Sequence, residues 1–243
     1  MVSDNVGLVK FFMDEVFSES CSVDCSVAYA YSIKNKEPSA LCELGMVPID
    51  LKSEKVIDET LQNYDIVFSA HCKQIFPSRL VEGVRCVNVH PGYNPYNRGW
   101  YPQVFSIINK LPVGATIHEM DADIDHGAII DQGEVVVCSY DTSYDVYEKV
   151  ISLEKRLVLK NIDKILLNNY IRVFPKSEGN YNSVSDFKEM CQLDINHVGT
   201  LREHLDVLRA LTFNGYKNAY YADGDGTVYV SITLEYKRND GYE

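Results

Sequence analysis

Short apolar runs that alternate with helical segments constrain this chain more than any other feature. CSVAYAYS, MVPIDL and YDIVFSAHC each have the length and apolar content of a buried strand, and RCVNVHP is a fourth. The pattern predicts a helix around residues 54–62, between the second run and the third. Ahead of them, Val9, Phe12, Val16 and Phe17 recur at helical spacing within residues 5–17, with Asp4 or Ser3 as the expected N-cap. Strands separated by helices pair in parallel, because a parallel neighbour is reached only through a crossover. The expected class is α/β, a Rossmann-like fold with a mostly parallel sheet.

Further along, YPQVFSIINKL reads as a helix, and VGATIHEMD and AIIDQGEVVVC as two more strands. A long helix is expected from about Thr142 to Tyr170, because Val146, Val150, Leu153, Leu157, Ile162 and Leu166 sit three to five residues apart. Thr142 with Asp145 resembles a capping box at its start. These elements complete one domain, expected to span residues 1–175. The remainder, 176–243, has a different character. Thr200 and Glu203 form a second capping-box pattern, opening a helix with Leu201, Leu205 and Leu208 on one face. ADGDGT is a turn, and Val228, Val230, Ile232, Leu234 and Tyr236 alternate in period two, which predicts a hairpin with one long strand. A two-stranded hairpin is marginal alone, so its apolar face is expected against the main domain or a second subunit.

The net charge of −12 argues against nucleic acid and anionic membranes as partners. No apolar run approaches the length of a membrane span, and the N-terminus lacks a secretory pattern. The seven cysteines form no C-x-x-C pair, which points to reduced thiols in the cytoplasm. Asp121, Asp123 and Asp125 suggest a calcium loop, but that motif wants Gly at its sixth position and Glu at its twelfth, where this chain has His126 and Gln132. No metal is expected.

The segment NVHPGYNPYNRGWYPQ (Asn88 to Gln103) holds one histidine, three prolines, two glycines and three asparagines, too irregular for helix or strand. Asn88 and His90 lie two apart at a strand end, so both side chains share one face of the sheet. That edge is where open α/β sheets bind ligands. An imidazole can act as a base near neutral pH, an amide can donate to an oxygen gaining charge, and a carboxylate such as Asp125 can orient the imidazole. The set suits acyl transfer to an amine, although a strand-end histidine is more often a structural hydrogen-bond partner. His118 reads as a packed strand residue, and His126 as a neighbour of Asp125. Trp100 reads equally as core or as a stacking partner for a flat ring.

NVHPGYNPYNRG resembles the active-site segment of the folate-dependent formyltransferases, in which Asn-x-His-Pro precedes a Pro and then Arg or Lys with Gly. ATIHEMDADIDHGAIIDQ resembles that family's second block, in which the catalytic aspartate is followed by one residue and Gly. With SAHCKQIFP, the likeness covers most of residues 3–140, and it implies that Asn88, His90 and Asp125 are the catalytic triad. CKQIFP, NPYNRGWYPQVFSIIN and LRALTFNGYKNAYY resemble the sugar N-formyltransferases in particular. That resemblance implies N10-formyltetrahydrofolate as co-substrate and a dTDP-linked amino-dideoxyglucose as acceptor, the C4 amine favoured over the C3. It further implies a product destined for bacterial O-antigen or another surface glycan, and a homodimer joined through the C-terminal hairpin.

By the same resemblance, Lys73, Gln74, Ile75, Pro91 and Asp121 are expected beside the folate, although Asp121 read by itself belongs to a solvated turn. Tyr93, Asn94, Arg98, Trp100, Tyr101 and Gln103 are expected beside the sugar nucleotide. Tyr181 and Phe187 are candidates for the thymine, and Arg202, Arg209 and Lys217 for the diphosphate. The alternatives are transfer to methionyl-tRNA or glycinamide ribonucleotide, or a protein that binds folate or nucleotide-sugar without turnover. One departure stands out: the family opens with an apolar strand before a segment like Ser3-Asp4-Asn5, and here that segment follows Met1 almost at once. The first strand is expected to be missing or reduced to its end.

Overall fold

The computed structural model describes residues 1–238. Seven strands form one sheet: β1 (Val2–Ser3), β2 (Ala30–Ser32), β3 (Val47–Ile49), β4 (Ile66–Ala70), β5 (Arg85–His90), β7 (Gly114–Glu119) and β8 (Ile129–Glu134). Their order is β3-β2-β1-β4-β5-β7-β8. The first five are parallel, while β7 runs antiparallel to β5 and β8 antiparallel to β7. The expected mostly parallel α/β sheet is thus present.

The first strand, β1, has two residues. Val2 and Ser3 pair with β4, Val2 also pairs with β2, and the Met1 amino group donates to the Ala28 carbonyl, so no gap opens in the sheet. Asp4 is not a helix cap. Its carboxylate accepts from the Ser32 and Lys73 amides and from Asn35, and it ties together two loops at the sheet edge. Asn5 caps α1 (Val6–Phe11) instead, accepting from the Leu8 amide. Past Phe11 the helix widens to π-type turns over Phe12–Ser20. An i→i+5 spacing brings Phe12 and Phe17 together, with ring centroids 6.0 Å apart, and this lets consecutive Phe11 and Phe12 both enter the core.

Most of the run CSVAYAYS stays outside the sheet. The chain before Ala30 lies against the long helix, where Ser22 donates to Asp163, because the two-residue β1 offers no further pairing. β3 is an edge strand, which accommodates Pro48. Short helices α2 (Ser39–Glu43), α3 (Glu54–Asn63) and α4 (Ser78–Gly83) form the crossovers.

α6 (Ser143–Leu166) starts at the expected capping box of Thr142 and Asp145 and stops short of Tyr170, with Asn168 in the left-handed region. Its apolar stripe covers one sheet face with Phe68, Val87, Val89, Ala115 and Ile117. The opposite face packs Val67 and Cys86 against α3 and α4 through Ile57 and Leu80. Because Val87 and Val89 point at α6, Asn88 and His90 emerge on the other face, at the carboxyl end of β5.

After the site loop come β6 (Arg98–Gly99) and α5 (Pro102–Asn109). The C-terminal part adds β9 (Tyr181–Asn182), α7 (Val184–Cys191), α8 (Leu201–Leu211), and a hairpin of β10 (Ala219–Asp223) with β11 (Gly226–Val230). The Thr200–Glu203 capping box is formed, but Leu201 is exposed and α8 buries its other end, at Arg209, Ala210 and Leu211. The expected long strand stops at Val230, because its partner strand begins at Ala219, the residue paired with it. Beyond that point Ile232 donates to Thr212, and Tyr236 stacks on Tyr140 with centroids 4.7 Å apart.

Candidate active site

The antiparallel register of β7 sets His118 directly across from Asn88. Asp125 comes from the β7–β8 loop, with its backbone in the left-handed region at φ 50°. That loop can turn so tightly because Gly127 passes against the Glu119 carbonyl, which a Cβ would meet at 1.9 Å. Four side chains converge. Asn88 donates from Nδ2 to Asp125 Oδ1 at 3.0 Å, and the same amide reaches His118 Nε2 at 3.3 Å. His90 Nδ1 lies 3.5 Å from Asp125 Oδ1. His118 Nδ1 donates to its neighbour's carbonyl, Glu119 O, at 2.7 Å, and its Nε2 lies 3.5 Å from Asp125 Oδ1.

The irregular loop after β5 is the frame for this group. The Gly99 amide donates to Asp125 Oδ2 at 3.0 Å, and Asn94 Nδ2 donates to the Asp125 carbonyl at 2.8 Å. Thr116 on β7 accepts from the Asn94 amide and donates to the Gly92 carbonyl. Gly92 lies so near His90 that a Cβ there would sit 2.3 Å from Nε2.

The electrostatics follow from burial. Burial lowers the His90 pKa to about 4, with the Asp125 carboxylate pulling the other way. Burial also works against ionisation of Asp125, but His90, His118 and the Gly99 amide outweigh it and hold the carboxyl well below the usual range. At neutral pH the pair is therefore a neutral imidazole beside a carboxylate. Nδ1 faces the carboxylate and carries the proton, which leaves Nε2 as the free base. That nitrogen is buried and has no partner among the described residues. A buried lone pair without a partner is a cost that a ligand proton would relieve.

These groups line a cavity of about 550 Å³ at the carboxyl edge of the sheet, the size of a small-molecule site. Lys73, Gln74, Ile75, Pro91 and Asp121 also line it, as do Trp100, Tyr101 and Gln103. Gln74 is buried and bonded at both ends to Ile49 and Leu51, so it fixes the wall with backbone bonds. Ile75 is 64% exposed and presents an apolar face. Asp121 is exposed and accepts from His126 at 3.0 Å. Trp100 is 37% exposed at the cavity wall, which favours the stacking reading over the core one.

Three expected contacts fall elsewhere. Tyr93, Asn94 and Arg98 are not among the lining residues. Asn94 is spent on Thr116 and Asp125. Arg98 donates to the Ile124 carbonyl at 3.3 Å and faces Glu178 at 3.7 Å, so it pins the aspartate loop. Arg209 is likewise unavailable, buried and bonded to Asp206, the Cys138 carbonyl and the Asp141 carbonyl. Phe187 does line the cavity, stacked on Tyr101 at 4.0 Å, whereas Tyr181 lies beneath Gly99. No local pattern marks His118 for the site, since only the strand register brings it to Asn88. The same is true of His71, Tyr147, Phe213 and Tyr216, which complete the lining from the end of β4, from α6 and from the C-terminal part.

The sequence pattern of the Formyl transferase family matches residues 22–162. The chain belongs to this family. Residues 186–236 match the N-formyltransferase dimerization C-terminal domain. Over 228 residues, 93% of this N-formyltransferase and 96% of the relative, it is 44% identical to a dTDP-4-amino-4,6-dideoxyglucose formyltransferase of Mycobacterium bovis. Among solved structures, a sugar N-formyltransferase from a Shewanella species superposes with TM-score 0.93 at 48% identity, covering 98% of this chain and 97% of that one. A 4-N formyltransferase from Francisella tularensis gives 0.91 at 48% identity, covering 97% of each.

Proposed function

We propose that this formyltransferase moves a formyl group from N10-formyltetrahydrofolate to the C4 amine of a dTDP-linked 4-amino-4,6-dideoxy sugar. The observation that carries the chemistry is the buried Nε2 of a neutral His90 at the cavity wall, without a partner among the described residues and beside the Asn88 amide and an ionised Asp125. The acceptor is supported by the full-length likeness to the mycobacterial relative, and the C4 position by that relative and the Francisella enzyme.

The folate supplies the formyl carbon. Asn88 keeps its 3.0 Å bond to Asp125 and turns its second N–H, held by His118 only at 3.3 Å, onto the formyl oxygen as that oxygen gains negative charge. His90 takes the amine proton at Nε2 as the C–N bond forms and returns it to the departing folate nitrogen. Asp125 stabilises the imidazolium in between. Lys73, Ile75, Pro91 and Asp121 border the folate, with Gln74 fixing the wall behind it, while Trp100, Tyr101 and Gln103 border the sugar nucleotide. The segment 176–243 joins two copies in a cytoplasmic homodimer, and the product enters a surface glycan.

A tRNA acceptor fits poorly with a net charge of −12. The test is tetrahydrofolate release with dTDP-4-amino-4,6-dideoxyglucose, its 3-amino isomer, methionyl-tRNA, glycinamide ribonucleotide or no acceptor. Release that requires the 4-amino sugar supports the reading. Release driven by another acceptor, or no turnover despite ligand binding, overturns it.

A further inference from the structure

A second polar chain ends at the same cavity and has no part in the steps above. Glu154, fully buried in α6, holds His71 Nε2 at 2.9 Å. His71 follows β4 with its backbone in the left-handed region, at φ 54°, and lines the cavity. Its Nδ1 lies 3.5 Å from Asn5 Nδ2, and that amide nitrogen also donates to the Tyr147 hydroxyl at 2.9 Å.

The direction of every bond in this chain is determined. Asn5 caps α1, so its Oδ1 is taken by the Leu8 amide at 3.0 Å and its NH₂ must face His71 and Tyr147. An NH₂ only donates, so His71 Nδ1 accepts, its proton is on Nε2, and that proton goes to the Glu154 carboxylate. The Tyr147 oxygen also accepts, and the Tyr147 hydrogen has no acceptor among the hydrogen bonds of the described residues. Burial and the Glu154 charge both raise the Tyr147 pKa, so the group stays a phenol. Tyr147 is a cavity-lining residue, packed edge-on against Phe213 at 5.4 Å, with Tyr216 beyond.

We infer that Tyr147 is a specificity-determining residue for the sugar nucleotide. It donates its hydroxyl hydrogen to an oxygen of that ligand, and Glu154, His71 and Asn5 are positioning residues that fix the direction of the bond. This rests on the acceptor reading proposed above. The chemistry selects an acceptor oxygen, either a sugar hydroxyl or a diphosphate oxygen, and rejects a protonated amine at that point.

Two variants test it, each measured for KM of both substrates, for binding of dTDP and of dTDP-4-amino-4,6-dideoxyglucose by calorimetry, and for melting temperature. Tyr147→Phe keeps the ring packing and deletes the hydrogen. Asn5→Asp keeps the helix cap, since Asp caps as well as Asn, but replaces the donor by an acceptor that draws the Tyr147 hydrogen inward. Both are expected to raise KM and Kd for the sugar nucleotide about tenfold, with kcat and the KM for the folate nearly unchanged. A loss seen with dTDP alone assigns the oxygen to the nucleotide diphosphate, and a loss seen only with the dTDP-sugar assigns it to the sugar. Unchanged sugar-nucleotide affinity in either folded variant, or a rise confined to the folate, overturns the inference. Wild-type protein that does not formylate the sugar removes the acceptor reading first, and this inference with it.

Discussion

Replacing Asp125 by asparagine is the sharpest probe of the proposed chemistry, because it changes charge and hydrogen-bond direction while keeping shape. The carboxylate oxygens accept from the Asn88 amide at 3.0 Å and the Gly99 amide at 3.0 Å, and one of them faces His90 Nδ1 at 3.5 Å. An asparagine has one acceptor for these three groups. Its NH₂ must turn either on Gly99, leaving a buried donor unpaired at a cost of about 1–3 kcal/mol, or on His90 and Asn88. In the second case the amide donates to Nδ1, the imidazole proton moves to Nε2, and the lone pair that takes the amine proton is gone.

The lost charge sets the size of the effect. Attraction between an imidazolium and a carboxylate 3.5 Å apart is about 5 kcal/mol at an effective dielectric constant near 20. Lost from the transition state, that amounts to a fall in kcat of roughly 10³- to 10⁴-fold. The assay is sugar-dependent tetrahydrofolate release at saturating substrates, with circular dichroism melts to verify folding. A folded Asp125→Asn protein that keeps more than a tenth of wild-type kcat would refute the role given to the His90–Asp125 pair.

Three further outcomes are expected. Gly92→Ala places a methyl where only 2.3 Å separates it from His90 Nε2, so the ring must leave its position; turnover should fall more than a hundredfold while the melting temperature shifts by a few degrees. Gly127→Ala meets a backbone carbonyl at 1.9 Å, and this rigid contact should lower the denaturation midpoint as well as activity; a native midpoint would show that the β7–β8 turn relaxes freely. The folded His90 pKa of about 4 lies below its ordinary value of 6.5, so the unfolded chain binds that proton first as pH falls. Stability should drop by about 3 kcal/mol between pH 6.5 and 4, with Asp125 adding a loss only below the usual carboxylate range. Urea midpoints across that window should be flatter in His90→Gln, and an equal slope in both proteins contradicts the assignment.

The fold was legible where one element decides its own form. The apolar runs at β4 and β5 and the capping box at Thr142 rest on local spacing and local hydrogen bonds, and they appear where the pattern puts them. Elements that depend on a distant partner were not. The run CSVAYAYS has strand character over its whole length, but β1 pairs with only one of its residues. VYVSITLEY alternates as far as Tyr236, but its partner strand begins at Ala219. The site divides in the same way. Asn88 and His90 share a face through the strand period of two, which the sequence states outright. His118 enters through the antiparallel register of β7, and His71 through a left-handed residue after β4, neither of which has a local signature. Asn94 and Arg98 of the loop were expected at the sugar nucleotide for a related reason. A polar side chain in an irregular loop suits a ligand and a neighbouring backbone equally well, and Asn94 and Arg98 are used by the backbone.

That use of the loop gives the C-terminal part a structural duty at the site. The loop has no regular structure of its own to hold Gly99, whose amide anchors Asp125. β9 pairs with β6 and supplies the missing support, with Tyr181 packed so closely under Gly99 that a Cβ would lie 2.5 Å from its ring. Asn97, fully buried, gathers Asn109, Asn180 and Asn182 around its side-chain oxygen and donates to Ser106. A continuous set of contacts runs from residues 180–182 through Gly99 to Asp125 and on to His90. The tail stacks Phe187 on Tyr101 at the cavity wall as well. The position of the Asp125 carboxylate beside His90 is therefore set by a segment about 55 residues further along the chain. A loop this rich in buried amides keeps one geometry only while those partners are in place, because each broken bond would leave a buried polar group unpaired.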